Sequence, residues 1–332
     1  YDIAVVGATG AVGRKMLEVL KERNFPINNL YLYASSKSAG SNVKYGDKEC
    51  TIIELKKENI VDKHIDIALF SAGGSISKEF APIFAQNHTI VVDNSSCWRT
   101  DKEVPLIVPE VNSDDIKQHK NIIANPNCST IQSVVPLKPL HDLYQIKRIV
   151  FSTYQAVSGA GRAGCQDLEN GMKGLPPAKF PQPIVSNCLP HIDVFLDNGY
   201  TKEEEKMIFE TKKILKDQNI KITATTVRVP VMNCHSVSAN IEFEKDFDLT
   251  ELKKALANFD GIVVMDDSKN ALYPTVINAD GKDEVYVGRI RRDESVKSGI
   301  NIWIVADNIR KGAATNTVQI AQYIIANNIK PV

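Results

Sequence analysis

The sequence predicts two α/β domains: a parallel sheet with helices on both faces, then an α+β domain on a largely antiparallel sheet. Three observations lead there. The chain has 332 residues, and at about 150 residues per domain that makes roughly two. Its first third alternates short apolar runs with helical patterns, as parallel strands joined by helical crossovers do. After about residue 145 the strand-like runs lengthen.

Ile3-Ala4-Val5-Val6 reads as a buried strand that runs into Gly7-Ala8-Thr9-Gly10-Ala11-Val12-Gly13. An amphipathic helix follows, with Met16, Leu17 and Leu20 apolar among Lys15, Glu18 and Lys21. Leu30–Ala34, Ile65–Phe70, Thr89–Asp93 and Asn121–Ala124 are further strands, with a helix near Ser77–Gln86. In the second domain the strands are Arg148–Val157, Lys221–Val229, Ser236–Phe243, Val285–Ile290 and Ile300–Ala306. Helical patterns cover Lys202–Leu215 and Leu249–Phe259. A last helix, Ala313–Ala326, has the spacing to pack back on the first domain. The expected division is therefore 1–127 with 313–332, and 128–312.

Composition excludes several classes. Apolar residues make up 43% and charged residues 24%, ordinary globular usage rather than a disordered or fibrous chain. Lys plus Arg (40) balances Asp plus Glu (40), and no dense basic run offers a nucleic-acid footprint. No apolar stretch approaches the ~18 residues of a membrane span. The N-terminus opens directly in a strand, without a signal-peptide pattern. The six cysteines, Cys50, Cys97, Cys128, Cys165, Cys188 and Cys234, are scattered, form no CxxC pair and are too sparse for a disulfide scaffold. A cytoplasmic protein with reduced thiols is expected.

The strand–Gly7-x-x-Gly10-x-x-Gly13–helix run suits a dinucleotide. Gly7 permits a tight turn, Gly10 a close approach to pyrophosphate, and Gly13 close helix–strand packing; the helix N-terminus then faces the phosphates. Gly7, Thr9, Gly10, Ala11 and Val12 are the candidate contacts of this Rossmann-like turn. The second strand ends in Tyr33-Ala34-Ser35-Ser36-Lys37-Ser38 with no acid to hold a ribose 2′-hydroxyl. The hydroxyls and cation of Ser36, Lys37 and Ser38 suit a 2′-phosphate, so NADP(H) is expected over NAD(H).

Asn125-Pro126-Asn127-Cys128-Ser129-Thr130 places a cysteine where a strand passes into a helix. A helix N-terminus stabilises a thiolate, the nucleophilic form. Arg228-Val-Pro-Val-Met-Asn-Cys-His235 supplies a guanidinium that can grip a carboxylate and an imidazole that can shuttle a proton. The other histidines read as surface or core. Cys234 beside His235 has no second ligand pair at metal-binding spacing, so no metal is expected.

Taken together, the turn Gly7–Gly13, Asn125–Thr130, Ser152-Thr-Tyr-Gln-Ala-Val-Ser-Gly-Ala-Gly161, Glu210-Thr-Lys-Lys213, Arg228–His235 and Lys311-Gly-Ala-Ala314 resemble the aspartate-β-semialdehyde dehydrogenase family across essentially the whole chain. The resemblance implies a catalytic domain that dimerises and reversible reduction of β-aspartyl phosphate to aspartate semialdehyde and phosphate. That is an early step towards lysine, diaminopimelate, methionine, threonine and isoleucine. It implies Cys128 as nucleophile, His235 moving protons, and Gln155 orienting the acyl intermediate. Arg228 would hold the substrate carboxylate and Glu210 its ammonium, with Arg99 and Lys213 at the phosphate and Asn127 beside the substrate. Ser158, Gly159 and Asn316 match cofactor-contact positions.

Two enzyme families share parts of this pattern. N-acetylglutamyl-phosphate reductase carries His-Pro-Gly-Cys-Tyr-Pro-Thr at the nucleophile, and glyceraldehyde-3-phosphate dehydrogenase carries Ser-Cys-Thr-Thr-Asn; neither run is here. A catalytically dead dinucleotide-binding paralogue would have lost one of Cys128, Gln155, Arg228 or His235, and all four are present.

Overall fold

Four consecutive fully buried residues, Ile3 to Val6, make a strand with no solvent face, and a parallel sheet grows on either side of it. The computed structural model describes residues 1–332, which separate into two units, Tyr1–Asn127 with Ala313–Val332, and Cys128–Gly312. The first unit begins with β1 (Asp2–Val6), α1 (Ala11–Glu22), β2 (Asn29–Ala34), β3 (Asn42–Tyr45), β4 (Lys48–Glu54) and α2 (Lys57–Val61). It continues with β5 (Ile67–Phe70), α3 (Gly74–Gln86), β6 (Ile90–Asp93), α4 (Pro109–Asn112) and β7 (Ile122–Ala124). The sheet order is β3-β4-β2-β1-β5-β6-β7, parallel throughout except for β3.

The β3–β4 hairpin is an addition to the expected strands. Its two-residue turn, Gly46-Asp47, joins the paired residues Tyr45 and Lys48. Both strands are half exposed at the sheet edge, so they carry too little apolar patterning to stand out.

The second unit opens with α5 (Cys128–Tyr144), which is buried on nearly every side from Ser129 to Leu140 and therefore lacks a polar stripe. Next come β8 (Ile146–Gln155), α6 (Gly161–Gly171), α7 (Lys202–Leu215), β9 (Lys221–Arg228), β10 (His235–Phe243) and α8 (Leu249–Ala257). β11 (Ile262–Val264), α9 (Val276–Ala279), β12 (Val285–Arg292) and β13 (Gly299–Ala306) complete it. The order is β11-β12-β13-β10-β8-β9. Three pairings are antiparallel, and β8–β9 and β11–β12 are parallel, so the sheet is mixed with an antiparallel majority.

β8 ends at Gln155, two residues short of the expected strand, and Val157–Ala160 forms a 3-10 turn. The reason is local: the N–H and C=O of Ala156 bond side chains of the site instead of a neighbouring strand. α7 begins at a complete capping box, with Thr201 and Glu204 bonding each other's backbone N–H. The last helix, α10 (Thr315–Ala326), belongs to the first unit. Its Val318, Ile320, Ala321 and Ile324 share a core with Ile3, Val5, Met16 and Leu20. No helix is long and apolar enough to cross a membrane.

Candidate active site

In the first unit the β1–α1 turn is built for a close backbone approach. Gly7 has φ +84°, and a Cβ there would lie 2.4 Å from the Ser71 carbonyl oxygen. A Cβ on Gly13 would lie 2.2 Å from the Gly7 carbonyl oxygen. Gly10 is the N-cap of α1; no side chain caps it, and the first turn holds no acid. Its first N–H groups and the positive end of the helix are thus left for an anion. Thr9, Ala11 and Val12 line this turn, Ala11 exposed and the other two half-buried. After β2, Ser36 and Lys37 are exposed and Ser38 is half-buried, in a turn closed by the Ser38 N–H on the Ser35 carbonyl (2.9 Å). A glycine cradle at a bare helix start, followed by an acid-free hydroxyl and lysine loop, fits a dinucleotide with a 2′-phosphate.

Arg99 is buried in the same unit. Its Nε donates to the Asn125 carbonyl and its Nη2 to the Asn94 carbonyl, each at 3.0 Å. A chain of amides runs beside it. Asn316 Nδ2 donates to Asn125 Oδ1 (2.7 Å), and Asn125 Nδ2 donates to Asn94 Oδ1 (2.7 Å). Asn316 also reaches the Ile107 carbonyl (3.0 Å) and is fully buried. These bonds fix the turn that leads into the buried Asn127.

In the second unit, sheet register collects three candidates at one end. Gln155 closes β8 and pairs with Arg228, which closes β9; His235 opens β10, which runs antiparallel to β8. Cys128, half-buried, is the first residue of α5. Gly312 lies against it: a Cβ on Gly312 would sit 2.8 Å from Cys128 Cβ.

Arg228 is buried, with Nη1 donating to the Ala156 carbonyl (2.7 Å), while its Nε has no partner. Burial pushes its guanidinium below its ordinary value, and negative charge on Glu203 and Cys128 pulls it back. An arginine stays charged under such pressure, so the site holds a buried cation. His235 is fully buried. Its Nδ1 accepts the Ala156 N–H (3.0 Å), and its Nε2 has no partner. Burial, and then the charge of Arg228, push it down to about 3, so the ring is neutral.

Gln155 is held at both ends: Oε1 accepts from Thr153 Oγ1 (2.9 Å), and Nε2 donates to Glu203 Oε1 (3.1 Å). Glu203, Lys206, Glu210 and Lys213 recur at helical spacing along one face of α7. Glu210 is buried and Lys213 half-buried. Ser158, also buried, accepts from Asn308 Nδ2 at 3.0 Å, and Gly159 lies beside Arg228 and His235.

Sequence reasoning missed Glu203, Asn308 and the Ala156 amide. Only Glu203 left a trace. The Thr201-x-x-Glu204 box dates the start of α7, and counting seven residues back from Glu210 reaches Glu203. The proline-rich stretch after Met172 also has a structural task. Asp167 accepts the N–H groups of Ala178, Lys179 and Phe180 at 2.8–2.9 Å, which seats the Phe180 ring 5.9 Å from the Arg228 guanidinium. Burial would raise the Asp167 carboxyl, but these three bonds hold it below its ordinary value.

This architecture defines a semialdehyde dehydrogenase. The family model "Semialdehyde dehydrogenase, NAD binding domain" matches residues 2–119, and "Semialdehyde dehydrogenase, dimerisation domain" matches residues 137–311. An aspartate-semialdehyde dehydrogenase of Aquifex aeolicus is 55% identical, over 99% of each chain. The crystal structure of aspartate semialdehyde dehydrogenase II from Vibrio cholerae, complexed with ASA, superposes with a TM-score of 0.93 at 46% identity, over 98% of each chain. The Candida albicans enzyme, solved with NADP, does so with a TM-score of 0.76 at 25% identity, over 99% of each chain. The chain belongs to the aspartate-semialdehyde dehydrogenase family, and the N-acetylglutamyl-phosphate reductase alternative is not favoured.

Proposed function

We propose that this chain interconverts β-aspartyl phosphate and aspartate semialdehyde plus phosphate through a thioester on Cys128, with NADP(H) held by the first unit. The observation that carries the reading is the set at one sheet end of the second unit. Arg228 and His235 are buried there, each with an unpartnered side-chain nitrogen, in the unit that Cys128 opens.

Cys128 attacks the acyl carbon as thiolate, and the acyl–oxygen bond breaks to release phosphate. When bound, the nicotinamide supplies or accepts the hydride at that carbon. Arg228 grips the substrate carboxylate, Glu210 its ammonium, and Arg99 and Lys213 the phosphate, with Asn127 beside the nucleophile. Gln155, clamped by Thr153 and Glu203, presents a fixed carboxamide edge to the acyl group. Gly7, Thr9, Gly10, Ala11 and Val12 hold the pyrophosphate, and Ser36, Lys37 and Ser38 the 2′-phosphate. Ser158 and Gly159 serve the nicotinamide side, and Asn316 is a further cofactor contact. The second unit also dimerises. Support comes from the dimerisation-domain model that matches residues 137–311 and from an aromatic pair on its sheet, the exposed Tyr154 and the half-buried Trp303, with ring centroids 5.3 Å apart. The protein works as a cytoplasmic homodimer without nucleic-acid partners.

The test is phosphate-dependent NADP+ reduction with aspartate semialdehyde, with N-acetylglutamate semialdehyde alongside. Turnover of the second substrate alone overturns the proposal. In the same assay NADP+ should exceed NAD+ in kcat/KM, and removing Lys37 and Ser38 together should weaken NADP+ selectively. Preference of the parent for NAD+ would refute the role of the 36–38 loop.

Arg99→Leu is expected to raise the KM for phosphate by roughly 10- to 150-fold, the worth of about 1.5–3 kcal/mol for a charge-assisted bond. The semialdehyde KM should move less. Because Arg99 also holds the Asn94 and Asn125 carbonyls, thermal unfolding should be followed in parallel. An unaltered phosphate KM would remove Arg99 from the phosphate site.

A further inference from the structure

We propose that Glu203, backed by Lys206, is a positioning residue of the reaction: it fixes the Gln155 carboxamide in the one orientation that keeps an N–H for the acyl group. This deepens the functional reading above and rests on it.

A carboxamide can turn over about its last bond, which exchanges its donor end for its acceptor end. The buried Gln155 meets Thr153 at one end and Glu203 at the other. Thr153 cannot choose between the two orientations, because a hydroxyl both donates and accepts. Its Oγ1 already accepts the Val227 N–H at 3.3 Å while donating to Gln155 Oε1. A carboxylate only accepts. With Gln155 Nε2 facing Glu203 Oε1 at 3.1 Å, an N–H lies between them. With the amide turned over, two oxygens would face each other there, out of reach of water. Glu203 therefore sets the orientation. Nε2 carries a second hydrogen, and that N–H is kept for the acyl oxygen.

Glu203 can choose only as an anion. Protonated, it would offer an O–H of its own and tolerate either orientation. Lys206, one helical turn on, holds it ionised. The Lys206 Nζ lies 3.2 Å from Glu203 Oε2 and 2.7 Å from Asp193 Oδ2. Burial presses the Lys206 ammonium down, but the two carboxylates carry it above its ordinary value. Arg228 is a second cation within electrostatic reach of Glu203. A pair at this spacing on a solvated helix face contributes little. Here the Glu203 side chain is only 7% exposed, so the charge acts inward.

The start of α7 keeps Glu203 in register with Gln155. The neighbouring Glu204 closes the capping box on Thr201 and also accepts the Thr226 N–H of β9 at 3.0 Å. β9 runs parallel to β8 and pairs Arg228 with Gln155. The first turn of α7 is pinned in this way to the strand beside the one that Gln155 closes. At the other end Asp193 stands in a left-handed surface turn (φ +67°), where its Oδ1 accepts the Val194 N–H at 2.9 Å. A surface turn, a cation and a buried anion are joined in series to one carboxamide.

The first arm of the experiment needs no substrate. In enzyme labelled with 15N-glutamine, Gln155 is assigned by the loss of its signals in Gln155→Ala. Its side-chain NH2 should give one pair of signals, with one proton shifted downfield by the carboxylate. Glu203→Gln keeps the size of the side chain but can donate as well as accept, and the downfield signal should disappear. An unchanged pair overturns the proposal. The other arms follow turnover, with thermal unfolding in parallel. Glu203→Gln should lose roughly 10- to 150-fold in kcat, the range for a charge-assisted bond. The semialdehyde KM should change less than about threefold, because other groups hold the substrate. A parent-like kcat overturns the proposal. Lys206→Met should also lower kcat, and Lys206→Arg, which keeps the cation, should recover most of the loss; methionine no worse than arginine overturns the role of Lys206. Adding Glu203→Gln to Gln155→Ala should cost less than about threefold beyond Gln155→Ala alone. Losses that multiply mean that Glu203 does not act through Gln155, and they overturn the proposal. If Gln155→Ala keeps the parent's turnover, the acyl-orienting role given to Gln155 falls and this proposal with it, whereas an unchanged spectrum overturns this proposal alone.

Discussion

Replacing Cys128 with serine is expected to lower turnover by about 10⁴-fold or more and to leave the fold intact, since a nucleophile removed from a concerted site costs on that order. Serine fits the space of cysteine, so the first turn of α5 and the close contact with Gly312 survive. What disappears is a thiolate, which an alcohol cannot replace beside the same helix end. The other thiols are poor substitutes. Burial and the carboxylates of Asp307 and Asp280 push Cys234 far above the ordinary thiol value. Burial and Asp93 raise Cys97. The measurements are semialdehyde-dependent NADP+ reduction, NADPH binding by fluorescence, and thermal unfolding. Residual activity of more than a few per cent, in protein free of revertant, would assign the chemistry to another cysteine.

Arg228→Leu is expected to impair use of aspartate semialdehyde by roughly 10- to 150-fold in kcat/KM, the worth of a charge-assisted bond of about 1.5–3 kcal/mol. The buried setting of Arg228, 5% exposed, favours the upper end of that range, because little water is present to replace the lost partner. Arg228→Lys should also be damaging. An ammonium reaching this site could meet the Ala156 carbonyl or the substrate carboxylate, but not both in the geometry of a planar fork. Steady-state kinetics with phosphate and semialdehyde varied separately distinguish this site from Arg99, whose loss should act chiefly on phosphate. A lysine variant indistinguishable from the parent would refute the fork.

Much of this was legible in the sequence because it depends on local rules. β1, the glycine turn and α1 are adjacent in the chain, and the turn must hold Gly7 where a side chain would strike Ser71. The helix that starts at Cys128 announces itself through Pro126 and the apolar residues behind it. Arg228 and His235 stand out as two functional groups closely flanking a proline. The residues that hold them are another matter. Asn308 reaches Ser158 and Cys234 across the unit, Glu203 reaches Gln155, and the Ala156 amide donates to His235 Nδ1. None of these contacts has a sequence spacing, and a backbone amide has no letter of its own. The β3–β4 hairpin was hidden differently. Its Gly46-Asp47 turn is a legitimate signal, but the half-exposed flanking strands muted the alternation that gives such a turn its meaning.

The first unit takes its core from both ends of the chain. α10 contributes Val318, Ile320, Ala321 and Ile324 to the cluster that holds Ile3, Val5, Met16 and Leu20. The second unit is a single uninterrupted stretch, Cys128–Gly312. A ribosome therefore finishes the second unit first, and the first unit waits with its sheet partly uncovered until residues 313–332 emerge. During that interval the apolar faces of β1 and α1 are accessible to chaperones, and to aggregation. A translational stall near Gly312 would release a chain whose second unit is complete and whose first unit lacks α10.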